Sequence, residues 1–280
     1  EKDQWKLSWD NGAFIPELAG GNVLALEVTR QKRGNIYDIN GKPIVEETTA
    51  YALGITPGNI EEGREGQLLY YLSELTGKTT QAISELYANA GANWYVPVGE
   101  VSENEIGERW DVLSQLGGLV MTKYESRYYY GGGIAPQTIG YVLGMSKEQQ
   151  AEYAKKGYLG DESVGQAGLE KYAEEALAGK PSASLYVVNA DGQIVSRISQ
   201  ADPVLSQSIT TTINKDLQIQ TQNAISGFIG AAVVMEVDSG RILAMASSPS
   251  FDPNLFDPNN ANSEVLLDKV LNDKNQTLLN

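Results

Sequence analysis

Residues 230–250 read GAAVVMEVDSGRILAMASSPS. Two almost wholly apolar runs flank Asp238-Ser239-Gly240, whose residue types favour a tight turn. The spacing predicts a β-hairpin, and the near absence of polar positions predicts strands buried on both faces. Upstream, residues 209–228 read ITTTINKDLQIQTQNAISGF, which starts extended and becomes a helix. Asn214 is its expected N-cap, and Asp216 sits in the first turn, where the helix dipole favours a carboxylate. Leu217, Thr221, Ala224, Ile225 and Phe228 are expected to line its buried face.

Working back toward the start, the pattern is one of hairpins interrupted by helices. Residues 22–30 alternate as a strand, with Val23, Ala25 and Glu27 opposite Leu24, Leu26 and Val28. Asn40-Gly41 marks a tight turn between NIYDI and KPIVEE, and Asp191-Gly192 marks another within residues 184–198. Residues 64–90 predict two helices. The first carries Leu68, Leu69, Leu72 and Leu75, and the second is capped at Thr79 or Thr80 and carries Ile83, Leu86 and Tyr87. Further helices are expected over Glu103–Leu116, Lys147–Lys156 and around Leu169, Tyr172, Ala173, Ala176 and Leu177. Gly179 stops the last of these. Residues 5–18 read as a strand and a crossing loop.

Composition removes several chemistries. The chain has 280 residues, a net charge of −15, no Cys and no His. There is therefore no Cys nucleophile, no Ser-His dyad and no Cys/His zinc site, and no cofactor is expected. The acidic balance, without a Lys/Arg stripe, argues against nucleic acid and against docking on anionic lipid. No apolar run reaches the length of a membrane span. Both ends read as cut, at Glu1 and at Asn280.

Local motifs carry little chemistry. Asp38-Ile39-Asn40-Gly41 resembles part of a calcium loop but lacks its remaining acidic positions, so a hairpin turn is expected. Gly131-Gly132-Gly133 has no following Lys-Ser/Thr pair and reads as a joint, not a phosphate cradle. Glu46-Glu47, Glu61-Glu62 and Glu174-Glu175 read as solvated surface. Tyr128, Tyr129 and Tyr130 favour a half-buried strand over a sugar-stacking platform. A Ser-Lys nucleophile needs Ser-x-x-Lys on one helical turn, and no Ser here has Lys three residues on. No Lys-Thr-Gly or Lys-Ser-Gly strand follows either.

Five ordered segments resemble the class B penicillin-binding proteins. RGNIYDINGKPI is similar to the family's Arg-Gly-x-Ile-x-Asp-Arg-Asn-Gly motif through Arg33, Gly34, Ile36, Asp38, Asn40 and Gly41, with Ile39 in place of the usual Arg. RYYYGGGIAPQTIGYV resembles the second motif through Arg127, Tyr129, Gly140, Tyr141 and Val142, with Tyr130 for Pro and Gln137 for His. GQAGLEKYAEEALAG matches the third through Gly165, Gly168, Leu169, Glu170, Tyr172, Leu177 and Gly179. TTINKDLQIQTQNAI and residues 231–256 resemble the opening of the transpeptidase domain. Residues 5–18 are similar to the tail of the NTF2-like domain in the subgroup that includes the methicillin-resistance type.

The resemblance implies an α+β fold: an elongated pedestal of β-hairpins with an inserted helical head, then the first helix and hairpin of an incomplete antiparallel transpeptidase sheet. It places an upstream-domain tail at 1–20, the pedestal at 21–203 and the truncated transpeptidase part at 204–280. It implies a parent D,D-transpeptidase on the outer face of the bacterial membrane, anchored upstream. Such an enzyme acts on peptidoglycan stem peptides and β-lactams, with a glycan-polymerising membrane partner at the pedestal. The catalytic serine lies beyond this chain in that scheme, so no residue here is assigned a catalytic role. A non-catalytic exported scaffold is the alternative. Because buried charges must be paired, Arg33 is expected within ion-pair reach of Glu170.

Overall fold

β1 (Val23–Thr29) opens the regular structure, after two 3-10 turns at Asn11–Ala13 and Pro16–Gly21. The structure, a computed structural model, describes residues 10–275, 277 and 278. Of the strand and loop expected over residues 5–18, residues 5–9 lie outside the described residues, and the rest forms 3-10 turns, not a strand. Pro16 cannot donate to a ladder, and Gly12 and Gly20 favour turning.

After β1 come β2 (Ile36–Tyr37) and the 13-residue β3 (Pro43–Ile55). The head follows: α1 (Glu65–Thr76), α2 (Thr80–Tyr87), β4 (Val96–Ser102), α3 (Glu103–Ile106), α4 (Trp110–Leu113) and β5 (Leu119–Tyr129). The chain continues through α5 (Pro136–Ile139), β6 (Val142–Gly144), α6 (Lys147–Tyr153), β7 (Ser163–Gly165), α7 (Gly168–Tyr172) and α8 (Glu174–Ala178). It ends with β8 (Ser182–Val188), β9 (Ile194–Ala201), β10 (Ile209–Thr210), α9 (Lys215–Ile225), β11 (Gly230–Met235), β12 (Ile242–Ser248) and α10 (Ser263–Leu271).

Two compact units emerge. One consists of the chain up to Lys32 with residues 178–206; the other of residues 33–177 with 207–280. The first holds an antiparallel sheet in the order β1-β8-β9, its hairpin turning at Asp191-Gly192. The second is organised on β3, which pairs β5 along residues 45–55, β4 along 50–55 and β2 near its start. β10 adds in parallel to β2.

The helical head packs on the outer half of β3. Leu68, Leu72, Ile83, Val101, Ile106 and Leu113 close a core with Leu53 and Ile55. Each such side chain contributes about 1.5–3 kcal/mol by leaving water. Thr79 caps α2 by accepting from the Ala82 N–H, and Gly77 ends α1 in the left-handed region. A second core, on the inner half of β3, joins Ile36, Ile44, Val45, Tyr128, Tyr129, Ile134, Ile139 and Leu177.

Four expectations need correction. The helix expected over Glu103–Leu116 breaks after Ile106, because Gly107 adopts φ 50°, ψ −130° and cannot continue a helical turn. Tyr172 does not join the apolar face of its helix; it is 90% exposed. The helix is interrupted at Ala173, so the 3.6-residue spacing fails across it.

On α9, Asn214 caps as expected, but Ala224 and Phe228 are exposed and Gln218 is fully buried. Gln218 pairs with both the N–H (2.7 Å) and the carbonyl (2.9 Å) of Met245 on β12, so a polar side chain extends the sheet edge.

The fourth concerns the hairpin of residues 230–250. It forms with the expected turn, but it is not buried on both faces. Ala244 and Ala246 are buried on one face, while Val233 is 54% and Met235 57% exposed on the other. Among the described residues that second face stays open.

Candidate functional site

The inner half of β3 leads to a cluster of four charges from three elements and the loop before β2. Arg33 precedes β2, Arg127 sits near the end of β5, and Glu170 and Glu174 belong to α7 and α8. Each guanidinium makes several bonds. Arg33 Nε donates to Glu170 Oε2 (2.8 Å), and its Nη2 donates to the Glu170 carbonyl (2.9 Å) and to Glu174 Oε2 (2.8 Å). Arg127 Nε donates to Glu170 Oε1 (2.5 Å), and its Nη2 to the Gly34 carbonyl (2.9 Å). Glu170 is fully buried.

Two positive and two negative groups leave the cluster neutral, which offsets much of the cost of removing them from water. The remaining acceptor sites are filled. The Gly165 N–H and the Tyr158 hydroxyl donate to Glu174, and the Tyr129 hydroxyl donates to Glu170 Oε1 at 3.3 Å. Burial pushes the Arg33 guanidinium down, but Glu170 and Glu174 outweigh it and hold it above its ordinary value. Burial, reinforced by Glu170, pushes the Tyr129 hydroxyl well up, so it stays a neutral donor. Arg127 Nη1 is buried without a hydrogen-bond partner among the described residues.

Backbone shape makes the approach of these side chains workable. A Cβ on Gly165 would sit 2.1 Å from the Glu170 carbonyl oxygen. Gly168 adopts φ 55°, and a Cβ there would meet the Thr138 carbonyl oxygen at 2.4 Å. Both positions require glycine, one for space and the other for space and conformation. The Gly34 N–H donates to the Leu177 carbonyl, so the first and third motifs are also tied by backbone.

The other motif residues serve a different joint. The Asp38 carboxylate accepts from the backbone N–H groups of Asn40 (2.8 Å), Lys42 (2.7 Å) and Lys215 (3.1 Å). It closes the Asn40-Gly41 turn and holds the start of α9. Burial pushes its carboxyl up, but the donors from Lys215, Lys42 and Asn40 prevail and hold it below its ordinary value. This is a turn, not a cation loop, as the sequence suggested. The motif residues thus gather at two places: Arg33, Gly34, Arg127, Gly165, Gly168 and Glu170 at the ion cluster, and Asp38, Asn40 and Gly41 at the turn.

Sequence reasoning missed Glu174, which read as solvated surface. It lies four positions after Glu170, but the helix breaks at Ala173 between them, so helical spacing gave no signal for it. It also missed Asn254, almost fully buried, which donates to the Tyr129 carbonyl and accepts from the Tyr129 N–H, both at 2.8 Å. The tyrosine run is no sugar platform. Tyr128, Tyr129 and Tyr130 are buried, and their hydroxyls donate to the Glu100 carbonyl, Glu170 and Glu46 rather than to water. Among the described residues no three acidic side chains gather as a metal site, and no helix is long and apolar enough to cross a membrane.

The penicillin-binding protein dimerisation domain family matches residues 29–211. The chain is 26% identical over 261 residues to penicillin-binding protein 3 of Bacillus subtilis, covering 91% of this chain and 38% of that protein. It is 30% identical over 256 residues to the peptidoglycan D,D-transpeptidase MrdA of Salmonella typhimurium, covering 89% of this chain and 40% of that protein. This chain therefore spans about two fifths of the length of these curated relatives.

Among solved structures, a chain of the complex between penicillin-binding protein PBP2 and MreC from Helicobacter pylori aligns with a TM-score of 0.57 at 20% identity. It covers 92% of this chain and 49% of that one, a likeness of fold. A chain from a peptidoglycan synthase complex that coordinates polymerization and crosslinking aligns with a TM-score of 0.50 at 27% identity, over 96% of this chain and 48% of that one. The chain belongs to the class B penicillin-binding proteins and carries their dimerisation domain.

Proposed function

We propose that the chain is the pedestal, with the opening of the catalytic sheet, of a peptidoglycan D,D-transpeptidase that cross-links stem peptides and is acylated by β-lactams. The neutral Arg33-Arg127-Glu170-Glu174 cluster carries this reading: it joins the three sequence motifs into one buried lock, a structural role suited to a pedestal. In this scheme the nine motif residues bind no substrate. Residues 21–203 form the pedestal and residues 204–280 begin the transpeptidase domain.

The chemistry belongs to the parent protein. A serine activated by a lysine would attack the stem-peptide carbonyl, and no Ser-x-x-Lys occurs among these 280 residues. This chain alone is then inactive. In this reading the parent works at the outer face of the bacterial membrane. A glycan-polymerising membrane protein is the partner expected at the pedestal, by analogy with the peptidoglycan synthase complex to which the fold is similar.

The test is labelling with a fluorescent penicillin. The full-length parent should be labelled covalently at one serine, and the 280-residue chain should not. A parent that takes no label in its folded state would favour the non-catalytic scaffold instead.

A further inference from the structure

Asn262 opens α10 without capping it. It stands at the N-cap position, but its backbone is helical (φ −71°, ψ −22°) rather than extended, and its side chain takes no bond from the first turn of the helix. The side chain is fully buried and goes to the head instead. Its Nδ2 donates to the Gly99 carbonyl (2.9 Å) and to Glu100 Oε1 (2.6 Å) on β4, and its Oδ1 accepts from the Tyr95 hydroxyl (2.6 Å). Asn260, also buried, backs this contact: its Nδ2 donates to Glu100 Oε1 (3.1 Å), and its Oδ1 accepts from the Asn262 N–H (3.0 Å). The seat for Tyr95 is built into β3. A Cβ on Gly54, where the β3–β4 register shifts, would fall 2.1 Å from the Tyr95 ring.

Asparagine is among the best capping residues, and a capping residue takes an extended backbone and accepts from the second or third N–H of its helix. In α10 those donors belong to Glu264 and Val265. We propose that Asn262 is a two-position switch. Docked, its amide ties the start of α10 to β4 and Tyr95. Released, its backbone extends and the same Oδ1 caps α10. The two positions need different backbone conformations and exclude each other, so head docking and capping of α10 compete. Losing the head contact therefore does more than loosen the segment; it gives α10 the cap it lacks. Trp94 is 66% exposed, which puts the switch one residue from the outer surface of the head. A displacement at that surface reaches α10 through Tyr95.

Hydrogen exchange of the 280-residue chain tests this. The Asn262 and Ser263 amides, bonded to Asn260 Oδ1 and to the Asn260 carbonyl, report docking. The Glu264 and Val265 amides report the cap, and the α1 amides serve as reference. Tyr95→Phe keeps the ring on Gly54 and removes the hydroxyl. It should speed exchange at Asn262 and Ser263 and slow it about fivefold at Glu264 and Val265. Asn262→Ser can cap but is too short to reach Gly99 and Glu100, so it should give the same opposed changes. Asn262→Ala can do neither and should speed both groups. Tyr95→Phe decides the matter, and Asn262→Ser decides it if the first variant folds poorly. Slower exchange at Glu264 and Val265 upholds the switch. Faster or unchanged exchange there overturns it, since Asn262 would then be a fixed clamp.

Discussion

Arg33 and Glu170 stand 137 positions apart in the chain and meet in a buried 2.8 Å ion pair. Arg33→Met leaves Glu170 with one guanidinium fewer in a site closed to water. The expected loss is about 3–5 kcal/mol, read by urea unfolding. Replacing both partners, Arg33→Met with Glu170→Leu, should cost clearly less than the sum of the single changes. Strict additivity would mean the two residues do not act as a pair.

Gly165→Ala should destabilise by more than about 1 kcal/mol, because the added methyl falls on the Glu170 carbonyl and pushes α7 off the cluster. Thermal unfolding reads this directly. Gly41→Ala is the control: its Cβ meets nothing within 4 Å, so only the cost of its positive φ, about 1 kcal/mol, should appear.

Asp38 links stability to acid. Its folded carboxyl sits below the ordinary 3.8, so its contribution is complete above that value and fades as pH falls through the folded value. Acid unfolding of Asp38→Asn should accordingly be less steep below about pH 4 than that of the unsubstituted chain. At pH 7 the same variant should be less stable by about 1–3 kcal/mol, since an amide cannot accept from Lys215 and Lys42 as the carboxylate does. Equal acid sensitivity of the two proteins would show that Asp38 does not carry this linkage.

Asn254 completes the end of β5 as a neighbouring strand would, taking both backbone groups of Tyr129. Asn254→Ala strands a buried N–H and a buried carbonyl, for an expected loss of about 1–3 kcal/mol. Exchange of the Tyr129 amide should quicken along with the fall in stability. An unchanged Tyr129 amide would mean another group satisfies it.

Local signals in the sequence were reliable because their physics is local. A turn at Asn40-Gly41, a cap at Thr79 and a cap at Asn214 depend on a few neighbouring backbone groups, and all three form. No single helix spans Glu103–Leu116, because one glycine with a positive φ outweighs several good helix formers. Periodicity failed on α9 because Gln218, polar in any scale, is buried to serve the edge of β12.

By itself the sequence determined the order of hairpins and helices, the absence of Cys, His and Ser-x-x-Lys chemistry, and the pairing expected of Arg33 with Glu170. Tertiary structure alone decided that Glu174 and Arg127 close the same cluster and that Asn254 replaces a strand. Among the described residues it also leaves one face of the 230–250 hairpin exposed, where the apolar pattern predicted burial. Turns and caps are settled by contacts within a few residues. Whether a charge or an apolar face is buried depends on which distant elements arrive to cover it, and the partners here lie up to 177 positions away.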